Sequence, residues 1–168
     1  MSQANQTNPS IENFLDSYRA AWWANSASRI EAAWDTNSAP FYKAEEIPHI
    51  ITNWDDLRAY WQHNETFNSV NELLYSDIHM HSLSDDIFLI GMRMRWDIRF
   101  AEDARQMDGS AFAWAGQTMG GDNHVAGCVK RVQDEWKLAA WVEAPDAPIL
   151  YMAQLYLNNV RPDFGGNK

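Results

Sequence analysis

Residues Asp86–Phe100 read DIFLIGMRMRWDIRF. Taken with a period of two, Phe88, Ile90, Met92, Met94, Trp96, Ile98 and Phe100 form one wholly apolar set. Ile87, Leu89, Gly91, Arg93, Arg95, Asp97 and Arg99 form the other, greasy at one end and charged at the other. Successive side chains of a strand point to opposite faces, so this alternation predicts a long β-strand with one buried face. Such a strand needs partners on both edges and a cover for its apolar row. Whether the cover leaves a pocket over that row is the functional question.

The cover is predicted upstream. Asn8 is a helix N-cap with Pro9 at the first helical position, and Ile11, Phe14, Leu15, Tyr18 and Trp22 follow at helical spacing. Ser28 and Glu31 have the S-x-x-E spacing of a capping box, opening a short helix that carries Ile30, Ala33 and Trp34. Residues 39–43 form a short strand, and Asn53 opens a third helix with Trp54, Leu57, Tyr60 and Trp61. Beyond Asn64 the period changes to two. Val70–Ser82 is a strand with Leu74, Ile78 and Met80 on one face, followed by a turn at Ser84–Asp86. Phe112–Met119 and Asn123–Gln133 read as strand segments meeting at Gly120-Gly121-Asp122, and Trp136–Glu143 is the last strand. Pro145 and Pro148 precede a C-terminal helix. Helices followed by long antiparallel strands predict an α+β fold, a curled antiparallel sheet under three N-terminal helices with a cone open at one end. The chain divides into a disordered leader (1–9), one domain (10–144) and a C-terminal helix and tail (145–168) expected to cover the pocket.

Composition narrows the partners. With 13 Lys+Arg against 23 Asp+Glu, the net charge of −10 leaves no basic patch for nucleic acid or an anionic membrane. The single cysteine, Cys128, excludes an internal disulfide and a cysteine-cluster metal site. The N-terminal stretch lacks the pattern of a signal peptide, and no apolar run approaches the ~18–20 residues of a membrane span, so a cytoplasmic protein is expected. The nine Trp exceed what a core of this size needs and point to an aromatic-lined cavity.

Three stretches carry a resemblance to the NTF2-like superfamily, in its SnoaL-like, ketosteroid-isomerase-like and scytalone-dehydratase-like branch. RIEAAWDTNSAPFY resembles the second helix and first short strand, NWDDLRAYW the third helix, and HVAGCVKRVQDEWKLAAWVE the final hairpin. The resemblance covers roughly residues 10–144 and implies the cone fold. It also implies a choice among cofactor-free isomerases, dehydratases, decarboxylases and lyases on one side, and binding or assembly domains on the other.

Isomerase-type relatives place a general-base carboxylate on the short strand, where this chain has Phe41-Tyr42-Lys43 followed by Glu45 and Glu46. Tyr42 and Lys43 are therefore candidates, the first as a hydroxyl donor and the second as a base lowered by burial. Tyr18 stands where ketosteroid isomerases carry an oxyanion-hole tyrosine. His49 is a candidate proton carrier on the cone rim. His124 shares parity with Cys128, near which such relatives carry a second pocket acid, and is expected to point into the cone mouth. Trp22, Met92, Met94, Trp96 and Trp141 are expected to hold the substrate rings. His79 and His81 lie on one strand face, but without a third ligand no metal site is predicted. Arg93, Arg95 and Asp97 are expected on the outer face as a contact between subunits of a homo-oligomer, a dimer or trimer, while Glu143 is left open between pocket and interface.

The sequence thus predicts a lyase or isomerase that needs no cofactor and acts by proton transfer on a small aromatic or phenolic molecule. The alternative is a non-catalytic binding or assembly module using the same cone.

Overall fold

The computed structural model describes residues 8–147, together with 152–153, 156–157 and 159–161. Residues 148–151, 154–155, 158 and 162–168 of the predicted C-terminal helix and tail, and residues 1–7 of the leader, lie outside the described residues.

Helix α1 (Pro9–Trp23) starts where its cap predicts: the Asn8 carboxamide oxygen accepts from the Ser10 amide at 3.2 Å, and Ile11, Leu15, Tyr18 and Ala21 are buried along one stripe. The helix ends at Ala24, and Asn25 follows with φ +48°, the left-handed position that an asparagine tolerates better than most residues. The second helix departs from its predicted start. Helix α2 (Ala27–Ala32) begins one residue before Ser28, and Ser26 at its cap makes no side-chain bond. The Ala27 amide instead donates to the Glu65 carboxylate, reached from the next helix. Glu31, released from the expected capping box, takes a bidentate bond from Arg58 at 2.7 and 3.0 Å.

Strand β1 (Phe41–Lys43) and helix α3 (Trp54–Phe67) follow, with Asn53 capping α3 by accepting from the Asp56 amide at 2.9 Å. Four long strands come next: β2 (Asn68–Ser84), β3 (Ile87–Phe100), β4 (Thr118–Val132) and β5 (Glu135–Pro145). The sheet order is β1-β5-β4-β3-β2, antiparallel except for the parallel β1–β5 edge. It is a curled, unclosed sheet with helices against its inner face. On β3 the predicted alternation holds: Phe88, Ile90, Met92, Met94 and Phe100 are buried, with Trp96 and Ile98 half-buried between them.

Other strands break their alternation. One extra residue in β2 at Asp77, where φ is +52°, makes Leu73 and Tyr75 inward-facing on one side and Met80 on the other. Leu74, predicted to share a face with Met80, is consequently exposed. One extra residue in β5 at Ala139 does the same, because Cys128 pairs with Ala140 and Val129 with Leu138. Upstream of it Trp136 and Leu138 face inward; downstream Trp141 does. Residues 112–117, predicted as strand, form a turn-rich loop, and β4 runs without interruption through Gly120 and Gly121. Among the described residues no helix is long and apolar enough to cross a membrane.

Candidate active site

The open end of the cone holds a cavity of about 330 Å³. Its wall is mostly aromatic and thioether: Trp22 and Tyr60 from α1 and α3, Tyr42 from β1, Met94, Trp96 and Phe100 from β3, and Trp141 from β5. Phe112 and Trp114 of the β3–β4 loop add a rim, with Phe112 packed at a tilt against Phe67 and edge-on against Phe100, at ring distances of 4.7 and 4.8 Å. Beneath the cavity Tyr18 lies 5.3 Å from the Trp141 ring, and Tyr75 lies 6.2 Å from it. Gly121 is part of this construction, since a Cβ there would stand 2.9 Å from the Trp96 indole. A side chain at 121 would push that ring from its place.

Into this apolar wall β5 inserts one carboxyl. Glu143 follows Trp141 by two residues and shares its face, and both point inward because of the extra residue at Ala139. The Trp141 indole N–H donates to Glu143 Oε1 at 2.7 Å, and the Asn123 amide donates to Oε2 at 3.1 Å. Burial raises the Glu143 pKa, the nearby Glu46 and Glu45 charges add to this, and the Trp141 and Asn123 bonds only partly oppose it; the balance is about 7. Glu45, also on the cavity wall, is raised by burial and by Glu46. Glu46 accepts the Tyr60 hydroxyl at 2.6 Å. Burial holds Tyr42 and Tyr60 far above the ordinary tyrosine range, so both hydroxyls keep their protons and remain donors. A carboxyl that changes charge near neutrality, among protonated tyrosines in an apolar cavity, is equipped to take and return protons. Among the described residues there is no group of three or more His, Cys, Asp or Glu that could hold a metal ion.

The structure brings together part of the predicted set. Trp22, Tyr42, Met94, Trp96 and Trp141 line the cavity; Met92 is buried in the core beside it. Tyr18 is buried below, and its hydroxyl has no hydrogen-bond partner among the described residues. Lys43, His49 and His124 are not among the lining residues. Lys43 follows the inward Tyr42 on the strand, so it takes the opposite face and donates to the Ala44 and Glu45 carbonyls at 2.5 and 3.3 Å. His49 is exposed between β1 and α3. His124 does not enter the cone mouth. The inward residues of β4 are Asn123, Val125 and Val129, which leaves the His124 side chain 61% exposed and 3.4 Å from Asp146. Asp146 also takes a 2.6 Å bond from Arg93, and Arg95 pairs with Asp97 at 2.6 Å and Asp122 at 3.5 Å. The charged row of β3 therefore lies on the outer face, as its parity predicts.

Glu143, Asn123, Tyr60 and the cavity amides Asn68 and Asn71 were not among the sequence-predicted site residues. One signal for Glu143 was present. Unbroken alternation from Trp136 would turn bulky Trp141 outward and small Ala140 inward, a mismatch that a bulge removes.

No protein-family profile matches this sequence, and no curated protein does. Solved structures match its fold. A candidate scytalone dehydratase from Novosphingobium aromaticivorans superposes with a TM-score of 0.68 at 12% identity, covering 83% of each chain. A candidate dehydratase of the NTF2-like family from Streptomyces avermitilis gives 0.66 at 11% identity, over 83% of this chain and 97% of that one. A candidate calcium/calmodulin-dependent protein kinase II association domain from Xanthomonas campestris gives 0.65 at 7% identity, over 86% and 92%. The chain has the NTF2-like cone fold, one that carries dehydratases and association domains alike.

Proposed function

We propose that the protein is a cofactor-independent lyase, or an isomerase using the same proton transfers, acting on a small aromatic molecule held in the cone. The observation that carries this reading is Glu143, a carboxyl titrating at about 7 on the wall of an aromatic cavity. Its ionised form removes a proton from carbon beside an electron-withdrawing group. The Tyr42 hydroxyl stabilises the negative charge that develops. In an elimination the protonated Glu143 then returns its proton to the departing hydroxyl, which leaves as water; in an isomerisation it returns the proton to a second carbon of the substrate. Trp22, Trp96 and Trp141 hold the ring, and the apolar walls keep bulk water from competing for the proton. The dehydratases that share the fold support this class.

Turnover of a panel of hydroxylated aromatic ketones and phenols tests it. Glu143→Gln is expected to lower turnover by about 10²–10⁴-fold, while Lys43→Ala and His124→Ala leave it unchanged. Loss in the latter two with an active Glu143→Gln protein would overturn the assignment.

A second reading, a ligand-binding or assembly module, is favoured by the likeness to an association domain and by the outer sheet face. There Leu74 is exposed across from Arg95 of the Arg95–Asp97–Asp122 cluster, and Leu89 is exposed further along the same face. The same face is where we propose that copies of the chain pair.

A further inference from the structure

Three amides form a chain whose direction the backbone fixes. Asn25 Nδ2 lies 3.0 Å from the Glu65 carbonyl and 2.7 Å from the Asn68 carbonyl. Carbonyl oxygens only accept, so the amino group of Asn25 must occupy that side. Its Oδ1 therefore faces Asn71, which donates Nδ2 to it at 2.6 Å. Asn71 Oδ1 is in turn left to accept Asn68 Nδ2 at 2.9 Å. The last amide has no freedom. Its donor side is committed, and Asn68 Oδ1 is buried without a hydrogen-bond partner among the described residues.

Asn68 and Asn71 are 6% and 2% exposed, and both line the cavity. Their placement comes from another slip in register: β2 pairs Asn68 with Phe100 and Val70 with Arg99, so the extra residue Ser69 lets Asn68 and Asn71 share the inner face. A buried acceptor without a partner bears a desolvation cost that a donor would relieve. Several donors on this wall are already committed. Asn123 Nδ2 and the Trp141 indole serve Glu143, and the Tyr60 hydroxyl serves Glu46.

We infer that Asn68 is a specificity-determining residue: its Oδ1 accepts a hydrogen bond from a hydroxyl or amino group on the substrate ring, so the substrate class is the hydroxy- or amino-arene. The inference rests on the reading of the cavity as an aromatic substrate site. It adds a polar anchor that selects a donor-bearing ring over its O-methylated or unsubstituted counterpart. A site built to bond a donor rejects the analogue lacking one, because the protein acceptor stays unpaired.

The test uses 2-naphthol, 2-methoxynaphthalene and naphthalene, with binding read from quenching of the tryptophans on the cavity wall. The wild-type protein is expected to bind 2-naphthol roughly tenfold more tightly than 2-methoxynaphthalene. Asn68→Leu should abolish that preference by weakening 2-naphthol alone, while Lys43→Ala, whose side chain lies off the cavity wall, should retain it. Equal affinities of the two ligands for the wild-type protein would overturn the inference, whether or not the variants fold, and leave the aromatic site standing. So would an undiminished preference in folded Asn68→Leu. Failure of all three naphthalenes to bind would overturn the aromatic-site reading and this inference with it.

Discussion

Replacing Glu143 by glutamine should stabilise the protein, and by an amount that depends on pH. The carboxyl is raised from its ordinary 4.5 to about 7 in the folded chain, chiefly by burial. The unfolded chain is then the better acid, so ionisation favours unfolding. Stability is complete below pH ~4.5 and falls as pH rises through about 7. Each pH unit between the two values is worth about 1.4 kcal/mol. Integrated from pH 5 to pH 8.5, this removes about 2.5 kcal/mol of wild-type stability that Glu143→Gln retains. The glutamine keeps an oxygen for the Trp141 indole, but its amino group meets Asn123 Nδ2 and obliges that amide to turn over. That costs about 1 kcal/mol, independent of pH, so it displaces the difference between the proteins without changing its slope. Urea unfolding of both proteins at pH 5 and 8.5 measures the effect, since every other titrating group cancels to first order in the comparison. The gap should move by about 2.5 kcal/mol in favour of the variant as pH rises. A gap that stays constant would show that Glu143 titrates like an exposed glutamate, and the proton-transfer reading would lose its support.

Other perturbations test the fold around the site. Deleting Ala139 should remove the bulge and leave Trp141 and Glu143 inward, since Leu138, Trp141 and Glu143 then alternate regularly with Ala140 and Val142, and tryptophan fluorescence should report the same burial as in the wild type. Burial works to raise the Asp35 pKa, but Lys130, Ser38 and Asn37 outweigh it and hold the carboxyl at about 2, below its ordinary 3.8. This contribution is present above pH ~3.8 and is lost as pH falls through about 2. Lys130→Met should therefore destabilise the protein by about 2 kcal/mol at neutral pH and progressively less in acid, read from the urea midpoint against pH. Gly121→Ala should displace the Trp96 indole and weaken 2-naphthol binding several-fold while leaving the unfolding midpoint within about 1–3 kcal/mol of wild type. Arg95→Glu, which places like charge beside Asp97 and Asp122, should shift the sedimentation coefficient towards that of a monomer.

Much of the scaffold was legible because it follows strict periods. The stripes of α1 and α3, their asparagine caps and the apolar row of β3 are visible as spacing, and the structure forms both caps and buries or half-buries the residues of each stripe and of the row. The start of α2 was not, because its amide is satisfied by Glu65, a partner nearly forty positions away that no local pattern reveals. His124 was placed in the cone through its parity with Cys128, yet Cys128 is only half-buried on the outer side and Val129 takes the inner position. The loop aromatics Phe112 and Trp114 resemble a strand in composition; what they contribute is a rim over the cavity, a property of where the loop folds back.

Glu143 and the pair Asn68 and Asn71 reach the cavity by the same kind of irregularity. Strict alternation along β5 from Trp136 would turn Leu138, Ala140, Val142 and Ala144 to the inner face, a good core with no chemistry. One extra residue at Ala139 brings Glu143 to that face, and one at Ser69 brings Asn68 and Asn71 there together. Each slip costs ladder hydrogen bonds locally and places a polar group where burial alone disfavours it. Both costs fall on the side chains that face the cavity, and Asn68 Oδ1 is left without a partner. The slips at Asp77 and Leu83 bring no polar group to the cavity, but those at Ser69 and Ala139 converge on it from two different strands, a physical reason to read that cavity as the functional part of the molecule.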